Sequence, residues 1–116
     1  MKTVIFCVSD VMHAKARMAA ALRGKEAGAF ISFASVELLW EVLTPLRWTL
    51  IQALLGRREV ISLDAVSRLV GRDQQAVHGD VQALLEAGVL EQAANGIVFP
   101  YDAVHVDFVV SRKGTP

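Results

Sequence analysis

Two helix-forming segments separated by only two residues constrain the fold of this 116-residue chain more than any other feature. The first begins at Ser62, a good N-cap residue, and repeats apolar residues at helical spacing up to Val70. Gly71 can adopt the left-handed conformation that ends a helix, and Asp73 can cap a second helix that stops at Gly88. The inward face of this second helix consists of Val77, Val81, Leu84 and Leu85. The pattern predicts two short amphipathic helices joined by a tight turn.

Helical patterns also precede this pair, and a hairpin pattern follows it. "SVELLWEVL" is capped by Ser35, and "TPLRWTLIQALLG" begins at Thr44-Pro45 and stops at Gly56. The expected inward positions of the three helices before Gly71 are Val36, Leu39, Trp40, Leu43, Leu46, Leu50, Ile51, Leu54, Leu55, Leu63, Val66, Leu69 and Val70. After Gly88 the period changes to two, and "VLEQAANGIVF" predicts two strands around an Asn95-Gly96 turn. This order of elements is typical of a winged helix-turn-helix.

The two ends of the chain have strand patterns. "TVIFCV" predicts a strand covered on both faces, followed by a helix from Ser9 or Asp10 to about Leu22 and by a second strand, "AFISF". "YDAVHVDFVV" alternates and predicts a last strand, in which Asp102 and Asp107 are interpreted as edge charges that limit pairing. We expect an α+β chain in three parts. Residues 1–33 form a β-α-β extension that is a candidate dimerisation element, residues 34–100 the winged helix-turn-helix, and residues 101–116 a strand and tail.

Charge and composition exclude several classes of protein. Net charge is zero, and Lys and Arg outnumber Asp and Glu in residues 1–33, by five to two. Cys7 is the single cysteine and cannot form an internal disulfide, and no apolar run approaches the roughly 18 residues of a membrane span, so we expect a cytoplasmic protein. The three histidines lie in separate elements without metal-ligand spacing, and there is no phosphate-binding glycine loop. We expect neither an enzyme nor a cofactor or metal.

The outer face of the second helix of the pair carries the candidate site. Glutamine can pair with adenine through two hydrogen bonds, and histidine can donate to guanine or phosphate, so the predicted base-reading residues are Gln74, Gln75, His78 and Gln82. The predicted phosphate contacts are Arg72, Arg57, Arg58 and Arg68, together with the helix N-terminus. Gly79 costs the helix roughly 1 kcal/mol but lets the backbone approach DNA. Asp80 is interpreted as an anchor for an arginine or a backbone amide.

Three stretches carry a resemblance to a known family: "LTPLRWTLIQAL", "VSRLVGRDQQAVHGDVQALLEAGVL" and "NGIVFPYDAVHVDF". Over about residues 30–108 the chain resembles the MarR-like winged helix-turn-helix regulators. More narrowly, it resembles a prokaryotic group of small DNA-binding proteins often encoded beside a toxin gene. The resemblance implies sequence-specific DNA binding, regulation of transcription, a dimer and neutralisation of a cognate toxin. Related families often have a basic residue immediately before the aspartate that Asp80 matches, and here that position is Gly79.

The sequence therefore predicts a homodimeric regulator of transcription that binds double-stranded DNA. Dimerisation is expected because few phosphate contacts per copy give modest affinity, and because the apolar terminal strands could pair within the chain or across a two-fold axis. A protein-binding antitoxin or adaptor remains an open alternative. In that case the basic N-terminal segment or the terminal strands would bind a partner, and DNA binding would be secondary.

Overall fold

The computed structural model describes residues 2–8, Met12, Ala16 and residues 27–108 as an α+β fold. Its strands are β1 (Thr3–Val8), β2 (Ala27–Phe33), β3 (Glu91–Ala93), β4 (Gly96–Val98) and β5 (Ala103–Asp107). The helices in this part of the chain are α1 (Val36–Val42), α2 (Pro45–Leu54), α3 (Leu63–Val70) and α4 (Gln74–Glu86). The helix expected between Ser9 and Leu22 falls outside the described residues except at Met12 and Ala16, which are both helical. Residues 109–116 also fall outside them.

The two ends of the described chain meet in one parallel sheet. The strand order is β2-β1-β5, and Phe6 of β1 lies beside Ile31 on one side and Val106 on the other. Val4, Ile5, Phe6 and Cys7 are fully buried, which confirms that this apolar run is covered on both faces. Because β2 and β5 occupy both edges of β1, a second copy could extend this sheet only at the outer edge of β2 or β5.

The four helices begin where their N-cap residues predict. Ser35, Thr44 and Ser62 each accept a hydrogen bond from the backbone N–H three residues later. Asp73 accepts one from the N–H two residues later and one from the N–H three residues later. Gly71 ends α3 in the left-handed conformation, with φ of 69°. None of the helices in residues 27–108 is long and apolar enough to cross a membrane.

One hydrophobic core joins the helices to the sheet. Val4 and Phe6 pack with Leu39 of α1, Leu50 of α2 and Val77 of α4, and Val104, Val106 and Phe108 lie against the same core. Three residues expected in the core are exposed instead: Trp40, Leu46 and Leu69. Leu46 and Leu69 lie in end turns of their helices, where fewer neighbours surround a side chain. Trp40 follows the buried Leu39 and so points about 100° away from it.

Trp40 is exposed to 49% but packs against an aromatic side chain. Its ring meets the ring of Phe108 edge-on, with 6.1 Å between centroids. The contact joins the outer side of α1 to the residue that follows β5. The helical spacing that predicted burial of Trp40 was therefore wrong about the core, and the indole packs against the end of the last strand.

The hairpin is confirmed, but the role predicted for its glycine is wrong. Ala94 and Asn95 form the two-residue loop, and Gly96 is already the first residue of β4. Ile61 and Ile97 exchange two backbone hydrogen bonds of 2.9 and 3.0 Å, which add a one-residue bridge to the β3-β4 sheet. A Cβ atom on Gly96 would lie 2.1 Å from the carbonyl oxygen of Ile61. Glycine is needed here because another backbone passes close by and because other residues rarely adopt its φ of 157°.

Candidate nucleic-acid interface

The outer face of α4 presents a stripe of uncharged polar side chains. The opposite face is buried through Val77, Val81 and Leu84. The four predicted base-reading residues are all exposed: Gln74, Gln75, His78 and Gln82. Their spacing of three and four residues makes them neighbours along one side of the helix. The structure therefore brings these four side chains together. They offer hydrogen-bond donors and acceptors, and none of them is a lysine or an arginine.

Gly79 lies within this exposed surface, in the middle of α4. A Cβ atom built on it meets nothing within 4 Å, and its φ is not in the left-handed region. Neither close packing nor backbone conformation within the described chain requires glycine at this position. A glycine that costs helix stability without an internal reason fits a surface that something else approaches closely.

The N-terminus of α4 is capped from within the chain. Oδ1 of Asp73 accepts hydrogen bonds from the backbone N–H groups of Gln75 at 2.9 Å and Ala76 at 3.1 Å. These are donors that a phosphate at a helix N-terminus would use, and the carboxylate adds a negative charge there. The phosphate contact expected at this helix end is therefore disfavoured, because Asp73 already satisfies the donors.

Asp80 holds two arginines at the flank of α4. Its Oδ1 accepts from Nε of Arg47 at 2.9 Å, and its Oδ2 accepts from Nη1 of Arg72 at 2.8 Å. The side chains of Asp80, Arg47 and Arg72 are only 15%, 21% and 22% exposed. Burial alone would raise the pKa of Asp80, but the hydrogen bonds and charges of the two arginines lower it below its ordinary value of 3.8. The structure confirms Asp80 as an arginine anchor.

Arg47 was not singled out from the sequence, although a signal was present. It lies in the first turn of α2, where a positive charge is disfavoured by the helix dipole and therefore needs a partner. Its Nη1 also donates to the carbonyl oxygens of Val42 at 3.0 Å and Glu41 at 3.3 Å. One guanidinium thus links the C-terminal end of α1 to the flank of α4.

Arg58 joins the loop after α2 to the start of β5. Its backbone has φ of 61°, the left-handed region, and its guanidinium donates to both carboxylate oxygens of Asp102. Asp102 also accepts the backbone N–H of Lys2 at 2.8 Å. The Arg58 hydrogen bond, followed by that of Lys2, lowers the pKa of Asp102 to about 2. Asp102 therefore clamps two segments to the sheet, which is a different role from the edge charge expected of it.

The other two predicted phosphate contacts are on the surface. Arg57 is exposed, and its Nε donates to the carbonyl oxygen of Ala53 at 3.0 Å. Arg68 is 72% exposed and forms an ion pair with Asp64, one turn earlier on α3. Each of the four arginines predicted to bind phosphate therefore has an acceptor in its own chain. A phosphate would compete with these acceptors, least effectively at the half-buried Arg72.

Residues 34–108, which contain the four helices and strands β3 to β5, have a negative net charge. Residues 34–108 contain five arginines and no lysine against ten Asp and Glu residues, a net charge of −5 with histidine neutral. The excess of positive charge lies in residues 1–33 and 109–116. Attraction of nucleic acid to α4 by a general positive field is therefore weak.

Within the part of the chain that the structure describes, no group of three or more His, Cys, Asp or Glu side chains is placed to hold a metal ion. The chain matches a family model named HVO_A0114 over residues 42–106. No curated protein and no solved structure matches the chain. The matched region runs from the end of α1 to β5 and includes the whole of α4 and the residues that anchor Asp80. It covers more than half of the chain, which therefore belongs to the HVO_A0114 family.

Proposed function

We propose that this protein is a sequence-specific DNA-binding regulator of transcription that acts as a homodimer, with α4 inserted in the major groove. The observation that carries the proposal is the exposed stripe Gln74, Gln75, His78 and Gln82 on the second helix of a tightly joined pair. Glutamine and histidine are side chains that can distinguish base edges through hydrogen bonds, and a helix fits the width of the major groove.

The order of elements supports a winged helix-turn-helix. In chain order, α2 is followed by the bridge at Ile61, then by α3, α4 and the β3-β4 hairpin. In such domains the second helix of the pair enters the groove, and the hairpin lies beside it. The resemblance that the sequence alone suggests, to MarR-like regulators over about residues 30–108, implies the same role for α4.

The charge distribution determines how such a protein would hold DNA. Because residues 34–108 have a net charge of −5, phosphate contacts must come from a few exposed arginines, from the basic residues 1–33 and from a second copy. Each neutralised phosphate adds about 0.9 to the slope of log affinity against log salt concentration. We therefore expect modest affinity, a shallow salt dependence and a large contribution of base contacts to binding.

Selection from a randomised pool of DNA duplexes tests the proposal. The parent protein should enrich one motif, and Gln75→Ala should relax preference at one base-pair position, at a cost of about 1 to 3 kcal/mol. Gln52→Ala is the matched control, because Gln52 is an exposed glutamine on α2. If no motif is enriched, or if the two variants select the same motif as the parent, α4 does not read bases.

A protein-binding antitoxin or adaptor is the second candidate. The net charge of −5 in residues 34–108 and the internal ion pairs of their arginines favour a partner with a basic surface over a nucleic acid. Salt titration of binding to the DNA upstream of the protein's own gene separates the two candidates. A measurable slope supports the regulator. Absence of binding, combined with a stoichiometric complex with the product of the adjacent gene, supports the adaptor.

A further inference from the structure

The ion pairs of Asp80 lie on the side of α4 away from the proposed base-reading stripe. Asp80 is two residues from both His78 and Gln82, so its side chain points about 160° round the helix from each of them. With 15% of its side chain exposed, it is held at the flank between α4 and the rest of the helical unit. A DNA duplex that met the stripe would leave Asp80 without direct contact.

Three segments meet at this carboxylate. Arg72 belongs to the turn that enters α4, and Arg47 belongs to the first turn of α2 and also binds the last carbonyls of α1. Charge-assisted hydrogen bonds of this length are stronger and more directional than neutral ones. Together they add directional restraints on the rotation of α4 about its axis to those of the apolar packing of Val77 and Val81.

The same contacts remove positive charge from the surface. Arg72 lies in the turn that enters α4, and Asp80 holds its guanidinium on the side of the helix away from the stripe, so that guanidinium is less available to phosphate of any sequence. Arg68 on α3 is also paired with a carboxylate, Asp64, but both side chains are more than half exposed and the pair lies within one helix. The two ion pairs thus have similar chemistry but different positions: one joins three segments, and the other joins only neighbouring turns of α3.

We propose that Asp80 is the positioning residue for sequence discrimination, because it fixes the rotation of α4 through Arg47 and Arg72 and withholds Arg72 from non-specific phosphate. This inference rests on the proposed function and deepens it. Base reading by α4 depends on Asp80, although Asp80 contacts no base. Loss of its charge lets α4 rotate about its axis and also releases the guanidinium of Arg72. Specific binding therefore falls while non-specific binding rises.

The test compares Asp80→Asn with Asp64→Asn. Each replaces one carboxylate by an amide and raises the net charge by one. Asp80→Asn releases Arg47 and Arg72 from their carboxylate, and Asp64→Asn releases Arg68. The probes are the duplex that the parent enriches most from a randomised pool and a shuffled duplex of the same composition. Both affinities are measured by fluorescence anisotropy at several salt concentrations, and circular dichroism confirms that each variant is folded.

For Asp80→Asn we expect the ratio of specific to non-specific affinity to fall at least tenfold, with tighter and more salt-dependent binding of the shuffled duplex. For Asp64→Asn both affinities should rise together and leave the ratio unchanged. An equal change of the ratio in the two variants, or no change in Asp80→Asn, overturns the inference while the regulator function stands. A parent that enriches no duplex refutes the proposed function, and this inference with it.

Arg72→Gln keeps the test decisive if Asp80→Asn does not fold, because it leaves Asp80 bound to Arg47. If Arg72 positions α4, the ratio of affinities falls and the salt slope stays as in the parent. If Arg72 is instead a phosphate contact, both duplexes bind more weakly by the same factor and the salt slope decreases by about 0.9. The second result would overturn the inference.

Discussion

Replacement of Gly96 by alanine should destabilise the protein strongly although the residue lies in a short surface hairpin. The added Cβ would lie 2.1 Å from the carbonyl oxygen of Ile61 and 2.6 Å from its carbonyl carbon, where ordinary contacts begin at 3.4 Å. Both obstacles are backbone atoms, which cannot move aside as the end of a side chain can. The segment at Ile61 must therefore retreat by about 1 Å, or β4 must bend.

That displacement breaks the bridge between Ile61 and Ile97. Two backbone hydrogen bonds of 2.9 and 3.0 Å are lost, each contributing about 1 kcal/mol. Gly96 also has φ of 157°, which an alanine adopts only with strain of about 1 kcal/mol or more. The free energy of unfolding should fall by about 2 to 4 kcal/mol. For a chain of this size that corresponds to a decrease in Tm of roughly 8–16 °C.

Urea denaturation followed by circular dichroism measures this change, and Gly79→Ala is the matched control. Gly79 is in a helix, and its Cβ would meet open space, so alanine there should raise the free energy of unfolding by about 0.5 to 1 kcal/mol. Replacement of glycine by alanine should thus lower the free energy of unfolding at Gly96 and raise it at Gly79. A Gly96→Ala variant within 0.5 kcal/mol of the parent would refute the reasoning from the Ile61 bridge.

Three further predictions concern DNA affinity, acid stability and oligomeric state. In anisotropy titrations, Gly79→Ala should weaken binding of the selected duplex several-fold despite its gain in stability, and unchanged binding would show that the helix does not approach DNA there. The folded-state pKa of Asp102 is about 2 against an ordinary 3.8, so the stability from its carboxylate is present above about pH 4 and lost as pH falls towards 2. In acid denaturation the difference between the parent and Asp102→Asn should shrink across that interval, whereas a constant difference would contradict it. Light scattering at micromolar concentration should give the mass of a dimer, and a uniform monomer would contradict the proposed homodimer.

Local signals in the sequence were sufficient for the helices. Ser35, Thr44, Ser62 and Asp73 each cap a helix from the position that their residue type predicts, because a cap depends only on the next three residues. The stripe on α4 could be predicted for the same reason. The inner residues of α4 repeat at helical spacing, and His78 and Gln82 lie far enough round the helix from them to be exposed.

Contacts between distant residues could not be predicted in the same way. Alternation indicated that Ala103–Asp107 is a strand, but its partner β1 is about a hundred residues away and no local rule selects it. Ion pairs between distant residues are equally hard to predict from the sequence. Arg72 and Arg58 look like free cations in the sequence, and only the fold places Asp80 and Asp102 beside them. Gly96 was assigned to the turn because Asn-Gly is typical of turns, while its actual constraint is the passage of Ile61.

The proposed function requires that the outer face of α4 contacts DNA bases. The most direct measurement is the change in backbone amide chemical shifts when the duplex selected by the parent is added to isotopically labelled protein. The largest changes should fall on Gln74, Gln75, His78 and Gln82, with small changes along α1. Chemical-shift changes confined to the sheet or to α1, with α4 unchanged, would contradict the proposed contact between α4 and DNA.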